Sequence, residues 1–205
     1  MNIIEIFSSL SGEGLMQGLP ATFIRCAGCN LNCAWCDTPE SQGAGTEMSI
    51  EEIVLAVSAG MPPRYVIITG GEPLLQKEEL TGLLAALRDA GYRIEIETNG
   101  TLPFTDVQEY ATVSMDIKCP SSGEESDVTL LADIKSGDSV KFVVMDRTDC
   151  LYAQQVIESH DIAGTVFISP PVWGGNYREI ADFILDEGME ARFQLQLHKS
   201  IGGVK

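Results

Sequence analysis

The amino-acid sequence predicts an α/β protein in which about six parallel strands form a partial, open barrel. Short apolar, β-branched runs alternate with amphipathic segments along 205 residues, and no linker, repeat or low-complexity tract interrupts them. Parallel strands joined by helical crossovers form either an open sheet or a barrel. A closed eight-stranded barrel usually takes roughly 250 residues, more than this chain offers. We therefore expect a single domain over residues 1–205.

The first half of the chain supplies three strands and two helices. Ala21–Arg25 and Tyr65–Thr69 are short β-branched and aromatic runs, and Arg93–Glu97 alternates isoleucine with charged residues. The predicted helix Ser49–Ala59 opens with a serine and, three residues later, a glutamate, which is the spacing of a capping box. The second predicted helix, Lys77–Asp89, is amphipathic.

The second half continues the alternation. Its predicted strands are Thr112–Ile117, Val140–Met145, Thr165–Ser169 and Arg192–Leu197. Its predicted helices are Asp149–Glu158 and Tyr177–Asp186.

The charge balance of the chain restricts its partners. Thirty acidic residues stand against thirteen basic ones, which gives a formal net charge of −17. Binding to a nucleic-acid backbone depends on clustered Lys and Arg, and the cations here are scattered. The first ten residues lack a basic run before an apolar stretch, and no apolar span reaches about 18 residues. We therefore expect a cytoplasmic enzyme with no nucleic-acid partner and no membrane contact.

Several predicted strands end in polar or glycine-rich segments. These segments are Thr69-Gly70-Gly71-Glu72-Pro73, Glu97-Thr98-Asn99-Gly100, Ser114-Met115-Asp116-Ile117-Lys118, Ser169-Pro170-Pro171 and Gln196-Leu197-His198-Lys199. The carboxyl ends of parallel strands lie at one edge of a sheet, where function gathers. We expect the five segments to face one site, and Gly70 and Gly71 to let the backbone approach a ligand closely.

A cysteine run follows the first predicted strand. Cys29, Cys33 and Cys36 lie in Cys-Asn-Leu-Asn-Cys-Ala-Trp-Cys. Three thiolates on a compact loop suit iron–sulfur ligation, and the missing fourth leaves one iron of a four-iron cluster free for another ligand.

A neighbouring cysteine, Cys26, allows a second interpretation. Together with Cys29 it forms a CxxC pair beside Cys33 and Cys36, and four such thiols could hold structural zinc. Zinc modules usually separate their ligand pairs by roughly a dozen residues or more, and these pairs are far closer. Structural zinc and a disulfide are therefore the weaker alternatives. We interpret Cys26, Cys119 and Cys150 as buried thiols that pack as small hydrophobes.

The cysteine spacing, the aromatic Trp35 before the last cysteine and the segment Gly70-Gly71-Glu72-Pro73 together resemble the radical S-adenosylmethionine (SAM) superfamily. That resemblance implies a partial-barrel fold and a 4Fe-4S cluster held by Cys29, Cys33 and Cys36. The free iron would bind the amino and carboxylate groups of SAM, and the glycine-rich segment would bind the methionine amino group. Reductive cleavage of SAM would then give a 5′-deoxyadenosyl radical that abstracts hydrogen from the substrate.

Four narrower features resemble one branch of that superfamily, the 7-carboxy-7-deazaguanine synthases. They are Ser11-Gly12-Glu13-Gly14, Phe23-Ile24-Arg25, Cys36-Asp37-Thr38 and Leu197-His198-Lys199, and the resemblance runs from about residue 3 to the C-terminus. It implies radical-mediated ring contraction of 6-carboxy-5,6,7,8-tetrahydropterin to 7-carboxy-7-deazaguanine with loss of ammonia. This reaction serves deazapurine (queuosine or archaeosine) biosynthesis, and Mg²⁺ is an implied further cofactor.

The resemblance also implies which residues bind the pterin. They are Leu10, Ser11, Gly12, Glu13, Arg25, Thr69, His198 and, through the terminal carboxylate, Lys205. Arg25 would pair with the substrate carboxylate, and a structural ion pair with an acidic residue is its alternative. Thr38 would place its oxygen on Mg²⁺, with a turn or cap role as the alternative. His198 would otherwise be a capped core residue, and Ser11 replaces a usual glutamine that could hydrogen-bond the pterin.

The expected SAM-binding residues are Trp35, Cys36, Asp37, Gly71, Glu72, Ser114, Asp116, Lys118 and Ser169. The family commonly has a shorter Ser-Pro-Lys run where this chain has Ser-Met-Asp-Ile-Lys, so the contacts made by residues 114–118 stay open. No catalytic side chain is expected beyond the cofactors. The implied partners are the pterin, an external electron donor such as flavodoxin or ferredoxin, and a second copy in a homodimer.

Two other functions stay open on the sequence alone. A radical SAM activating enzyme would act on a protein partner and would not need the combination of Glu13, Arg25 and His198. A small iron–sulfur electron carrier would need four ligating cysteines and would not cleave SAM.

Overall fold

The structure, a computed structural model, describes residues 1–59, 64–171, 174 and 176–202 and contains one mixed sheet. Its strands are β1 (Asn2–Leu10), β2 (Pro20–Cys26), β3 (Thr46–Glu47), β4 (Tyr65–Gly70), β5 (Arg93–Thr98), β6 (Thr112–Ile117), β7 (Ser139–Val143), β8 (Thr165–Ser169) and β9 (Arg192–Phe193). The spatial order is β3-β1-β2-β4-β5-β6-β7-β8-β9. From β2 to β9 in that order every pairing is parallel. The predicted α/β class, with parallel strands in an open arrangement and not a closed barrel, is confirmed.

The N-terminal strand was not predicted. β1 pairs antiparallel with β2 and with the short β3, so an antiparallel extension lies at one edge of the parallel sheet. In its register Glu5 lies opposite Arg25, and Phe7 lies opposite Phe23. The two phenylalanine rings stack with centroids 5.1 Å apart, as cross-strand aromatic pairs do. This hairpin supplies a wall of the site described below.

The helices contribute many of the apolar residues of the core. They are α1 (Ile50–Ala59), α2 (Lys77–Asp89), α3 (Arg147–Ser159), α4 (Tyr177–Asp186) and the short α5 (Leu197–Ser200). The leucine row of α2 is fully buried and comprises Leu80, Leu83, Leu84 and Leu87. The predicted capping box is confirmed, because Ser49 N donates to Glu52 Oε2 and Glu52 N donates to Ser49 Oγ. Within the described residues, no helix has both the length and the apolarity to cross a membrane.

The prediction of a strand over Arg192–Leu197 is wrong beyond its second residue. β9 ends at Phe193, and Leu197 begins helix α5. The intervening Gln194 is buried, where its amide donates to Gly14 O and accepts from Gly14 N, at 3.0 and 2.8 Å. Leu197 N then donates to Gly12 O. The segment leaves the sheet because its hydrogen bonds go to the loop between β1 and β2, which brings the two ends of the chain together.

Candidate active site

A cavity of about 560 Å³ opens at the carboxyl ends of the parallel strands. Strands β1, β2, β4, β5, β6 and β7, the cysteine loop and helix α5 all contribute to its walls. Ligand cavities typically measure about 300–1,000 Å³ and lie at this edge of an α/β sheet. Four of the five predicted strand-end segments line it, and the fifth, which begins at Ser169, reaches it through Pro171.

The three cysteines of the triad line this cavity together. Cys29 and Cys33 are half-buried and Cys36 is exposed. Burial raises the pKa of Cys33, and the nearby Lys118 ammonium acts in the opposite direction. The loop is fixed from outside, because Ala34 N donates to Ser122 O at 2.8 Å and the Trp35 indole donates to Ser121 Oγ at 3.0 Å.

The other three cysteines are buried, as predicted. Cys26, Cys119 and Cys150 belong to the apolar core and do not line the cavity. Burial raises the pKa of Cys26 to about 12 and that of Cys150 to about 11. Cys26 lies in the core, whereas Cys29, Cys33 and Cys36 line the cavity, so this placement disfavours the four-thiol zinc interpretation.

The glycine segment after β4 packs against the start of the cysteine loop. Gly70 has φ +132°, and a Cβ there would lie 2.2 Å from Cys26 O. A Cβ on Gly71 would lie 1.8 Å from Gly28 O. Both positions therefore require glycine, because the backbone here packs directly against the backbone before the cysteine loop. Both glycines also line the cavity.

Glu72 is fully buried beneath this segment. Its carboxylate accepts from Leu74 N, Thr98 Oγ1 and Asn99 N at 2.7–3.0 Å, and it does not line the cavity. The side chain thus ties the end of β4 to the end of β5. Burial raises the pKa of Glu72, and these hydrogen bonds act in the opposite direction.

Four charged side chains form a continuous chain across the cavity. The Lys141 ammonium contacts Glu13 Oε2 and lies 3.2 Å from Asp116 Oδ1, and Lys118 Nζ lies 2.9 Å from Asp116 Oδ2. At the far end Gln196 Nε2 donates to Glu13 Oε1 at 2.6 Å. Burial alone would lower the pKa of Lys141, but Asp116, Glu13 and Glu97 together raise it well above its ordinary value.

Two predicted SAM-binding serines lie below the cavity surface. Ser114 is buried and accepts a hydrogen bond from Ser139 Oγ at 3.2 Å. Ser169 is 1% exposed, and its hydroxyl has no hydrogen-bond partner among the described residues. Neither lines the cavity, whereas Asp116 and Lys118 do.

Arg25 already has a protein partner. Its Nε donates to Glu5 Oε1 at 3.0 Å, and its guanidinium lies 5.6 Å from the centroid of the Phe7 ring. The structural ion pair considered from the sequence is therefore present. It uses one of five guanidinium N–H groups, and Arg25 still lines the cavity.

Thr69 and Glu97 meet at the ends of neighbouring strands. Thr69 Oγ1 donates to Glu97 Oε2 at 2.6 Å, and both residues line the cavity. Burial raises the pKa of Glu97, while Lys141 lowers it and Glu13 raises it.

The loop after β1 and helix α5 form the remaining wall. A Cβ on Gly12 would lie 1.9 Å from His198 Nδ1, so this glycine makes room for the imidazole. Burial lowers the pKa of His198. Leu10, Gly12, Glu13 and His198 line the cavity, but Ser11 is buried and donates to Glu13 O.

Asp37 and Thr38 line the cavity on the far side of the cysteine loop. Asp37 lies 3.1 Å from Lys199 Nζ, an ion pair that connects the loop to helix α5. Thr38 precedes a short 3₁₀ turn, and its hydroxyl makes no capping hydrogen bond to that turn. Lys205 lies outside the described residues.

Comparison with known proteins identifies the family. A model of the Radical SAM superfamily matches residues 23–138. A 7-carboxy-7-deazaguanine synthase from Methanospirillum hungatei is 54% identical over 202 residues, which cover 98% of this chain and 86% of that protein. This chain belongs to the 7-carboxy-7-deazaguanine synthase family. A synthase from Chlorobaculum tepidum is 40% identical over 208 residues, covering 98% of this chain and 94% of its own.

Two solved structures match the fold of this chain. The crystal structure of QueE from Escherichia coli superposes with a TM-score of 0.77 at 24% identity, over 96% of this chain and 94% of that one. Streptococcus suis SuiB, solved with S-adenosylmethionine bound, gives a TM-score of 0.54 at 17% identity, over 84% and 45%. As a radical SAM enzyme, the synthase uses a 4Fe-4S cluster and SAM. Its donor set fits that cluster, because three cysteines line the cavity and the other three are buried.

Three cavity residues of the synthase were not assigned a role from the sequence. Lys141, Glu97 and Gln196 each contact a residue predicted to bind substrate or SAM. Glu97 and Gln196 belong to strand-end segments that were expected to face the site. Lys141 carried a signal too, since a lone lysine within the apolar strand Val140–Met145 is costly to bury without partners.

Proposed function

We propose that this chain converts 6-carboxy-5,6,7,8-tetrahydropterin to 7-carboxy-7-deazaguanine with loss of ammonia, as a radical SAM carbon–nitrogen lyase in deazapurine biosynthesis. Whole-chain similarity to proteins named for this product supports the proposal most directly. The cavity adds independent support. It brings the cysteine triad together with Glu13, Arg25 and His198, the combination that distinguished this function from an activating enzyme.

In this proposal Cys29, Cys33 and Cys36 hold the cluster. When bound, the cluster and SAM supply a 5′-deoxyadenosyl radical for hydrogen abstraction. The protein's own task is to position both ligands and keep water away from the radical. Trp35, Asp37, Gly71, Asp116 and Lys118 would surround SAM, and their place in the cavity lining supports this assignment. Glu72, Ser114 and Ser169 would act from beneath that surface.

The pterin would lie against the opposite wall. Arg25 would bind the substrate carboxylate through its terminal N–H groups while Glu5 holds Nε. Thr69, Glu13 and His198 would contact polar edges of the pterin, and Leu10 and Gly12 would border it. Ser11 would act indirectly, because its hydroxyl is bonded to the backbone of Glu13.

Mg²⁺ completes the proposed cofactor set, with Thr38 as its protein ligand. Mg²⁺ prefers oxygen ligands and usually keeps waters or substrate oxygens. The Thr38 hydroxyl is suited to this role because it lines the cavity and does not cap the following turn. We further propose a cytoplasmic homodimer reduced by a flavodoxin or ferredoxin.

Anaerobic turnover tests the function. The protein is reconstituted with iron and sulfide, mixed with dithionite, SAM, Mg²⁺ and carboxytetrahydropterin, and its products are analysed by mass spectrometry. We expect 7-carboxy-7-deazaguanine and ammonia, with much less 5′-deoxyadenosine than deazapurine, because loss of ammonia alone balances the reaction and the abstracted hydrogen must be returned. Formation of 5′-deoxyadenosine without the deazapurine would exclude this substrate and favour an activating enzyme. A loaded cluster with neither product would favour an electron carrier.

The same experiment with Thr38→Ala tests whether this threonine is the Mg²⁺ ligand. Stimulation of turnover by Mg²⁺ should disappear in the variant while cluster content stays unchanged. Thr105→Ala is a matched surface control. Retained Mg²⁺ stimulation in Thr38→Ala would exclude the threonine as the metal ligand.

A further inference from the structure

Lys141 lies between two groups of residues to which the proposed function gives different ligands. The proposed function assigns Glu13 to the pterin and Asp116 to SAM. The Lys141 ammonium contacts both carboxylates. Lys141 and Asp116 are direct neighbours in the parallel register of β6 and β7, so their side chains emerge on the same face. Glu13 reaches them from the loop between β1 and β2.

Every carboxylate oxygen in this group has a described donor. Glu13 uses one oxygen for Gln196 and the other for Lys141. Asp116 uses one oxygen for Lys141 and the other for Lys118. Both carboxylates are therefore held from two sides, and Lys141 is the only described side chain that contacts both. An ammonium has three N–H donors, enough for this double contact.

The charges of these four residues cancel. Two lysines balance Glu13 and Asp116, and all four side chains are at most 19% exposed. Removal of Lys141 alone would leave a net negative charge in a confined space that also holds the half-buried Glu97. Both carboxylates would then repel each other and lose one fixed donor each.

We propose that Lys141 is a positioning residue that orients Glu13 toward the pterin and Asp116 toward SAM with a single ammonium. This proposal rests on the function proposed above. A buried ion pair gives little net stability compared with apolar residues of the same size, so stability alone does not account for this arrangement at a ligand-facing wall. A role in setting the positions of two ligands does account for it. If one carboxylate moves, Lys141 moves with it, and its contact with the other carboxylate changes.

The test measures equilibrium binding as well as turnover. Dissociation constants for SAM and for carboxytetrahydropterin are determined by calorimetry on the cluster-loaded protein, and circular dichroism monitors folding. We expect Lys141→Met to weaken both ligands at least about tenfold and to raise the amount of 5′-deoxyadenosine formed per deazapurine. Lys118→Met removes the ion pair with Asp116 and the ammonium beside the Trp35 ring but leaves Glu13 and its contacts in place. It should weaken SAM and leave pterin affinity within about twofold. Lys135→Met, an exposed lysine before β7, is the matched control.

Specific outcomes overturn the proposal. Unchanged affinity for both ligands in folded Lys141→Met would do so, and so would weakening of only one ligand. If Lys141→Met does not fold, Lys141→Gln is measured instead with the same expectation, since its amide keeps N–H donors on a shorter side chain but not the charge. Failure of the proposed function is recognised separately, because the unmodified protein would then bind SAM but neither bind nor convert the pterin.

Discussion

At the scale of single residues, two glutamates of β5 lie on the inner face of the sheet. Glu95 and Glu97 are two positions apart, and burial raises the pKa of each. Glu97 has Thr69 as a hydrogen-bond donor and Lys141 nearby. Burial raises the pKa of Glu95 to about 7, and the charge of Glu97 is the second cause. This carboxyl is therefore a source of pH-dependent stability.

The predicted consequence is a loss of stability as pH rises. The folded-state pKa of Glu95 lies above the ordinary carboxyl value, so the protonated form favours folding. This contribution is complete below about pH 4.5 and is lost as pH rises through about 7. Glu95→Gln removes the titration. Its free energy of unfolding relative to the unmodified protein should rise by roughly 2 kcal/mol between about pH 5 and pH 8.

Urea denaturation at several pH values checks this prediction. Glu79→Gln, on the exposed face of α2, is the control and should show no pH-dependent difference. A constant difference between Glu95→Gln and the unmodified protein across this range would contradict the expected titration.

Residues of the candidate site could be predicted where a sequence motif or the end of a predicted strand marked them. Cys29, Arg25 and Thr69 were found in this way, and all line the cavity. The pairing of Lys141 with both Glu13 and Asp116 was not predictable, because it depends on the β6–β7 register and on a loop brought from the other end of the sheet. Side-chain partners of this kind follow from tertiary structure and leave only a weak local signal.

At the scale of elements, the cysteine loop is held by a relay from helix α3. The buried Asp149 accepts from Ser121 Oγ at 2.5 Å and from Ser121 N and Met145 N, and Ser121 Oγ in turn accepts from the Trp35 indole. Asp149 is 0% exposed. Its carboxylate therefore fixes the loop at residues 120–122, which fixes the aromatic residue beside the cluster cysteines.

Ser121→Ala should loosen this relay. The Trp35 indole loses its acceptor and Asp149 loses a donor, at a cost of about 1–3 kcal/mol in stability. We expect a lower iron content per chain after reconstitution and faster loss of the cluster in air. Iron and sulfide assays measure the first, and the decay of visible absorbance measures the second. Ser159→Ala, at the exposed end of α3, is the control. Identical cluster content and lifetime in Ser121→Ala would show that the relay does not support the loop.

Most elements were predictable because their signals are local. The leucine row of α2 and the β-branched runs of β4 and β8 gave the observed elements with small shifts at their ends. The C-terminal prediction failed because Gln194 bonds to Gly14, 180 residues away. Hydrophobic alternation alone cannot reveal that such a segment leaves the sheet.

At the scale of the whole molecule, the net charge of −17 sets the electrostatic behaviour. Repulsion among surface carboxylates destabilises the compact state, and salt screens it over a Debye length of about 10 Å at 0.1 M. The ion pairs of Lys141 are largely buried, so screening affects them less. Moderate salt should therefore relieve repulsion at the surface and leave the interior pairs in place.

The melting temperature is accordingly expected to rise by several degrees between about 10 and 200 mM NaCl and then level off, because surface repulsion is mostly screened at that point. Anaerobic scanning calorimetry of the cluster-loaded protein measures this change. Choline chloride at equal ionic strength should give the same curve, whereas a specific ion effect would differ between the salts and continue to rise at higher concentration. A melting temperature that falls with salt would mean that attractive ion pairs at the surface outweigh the repulsion of the excess carboxylates.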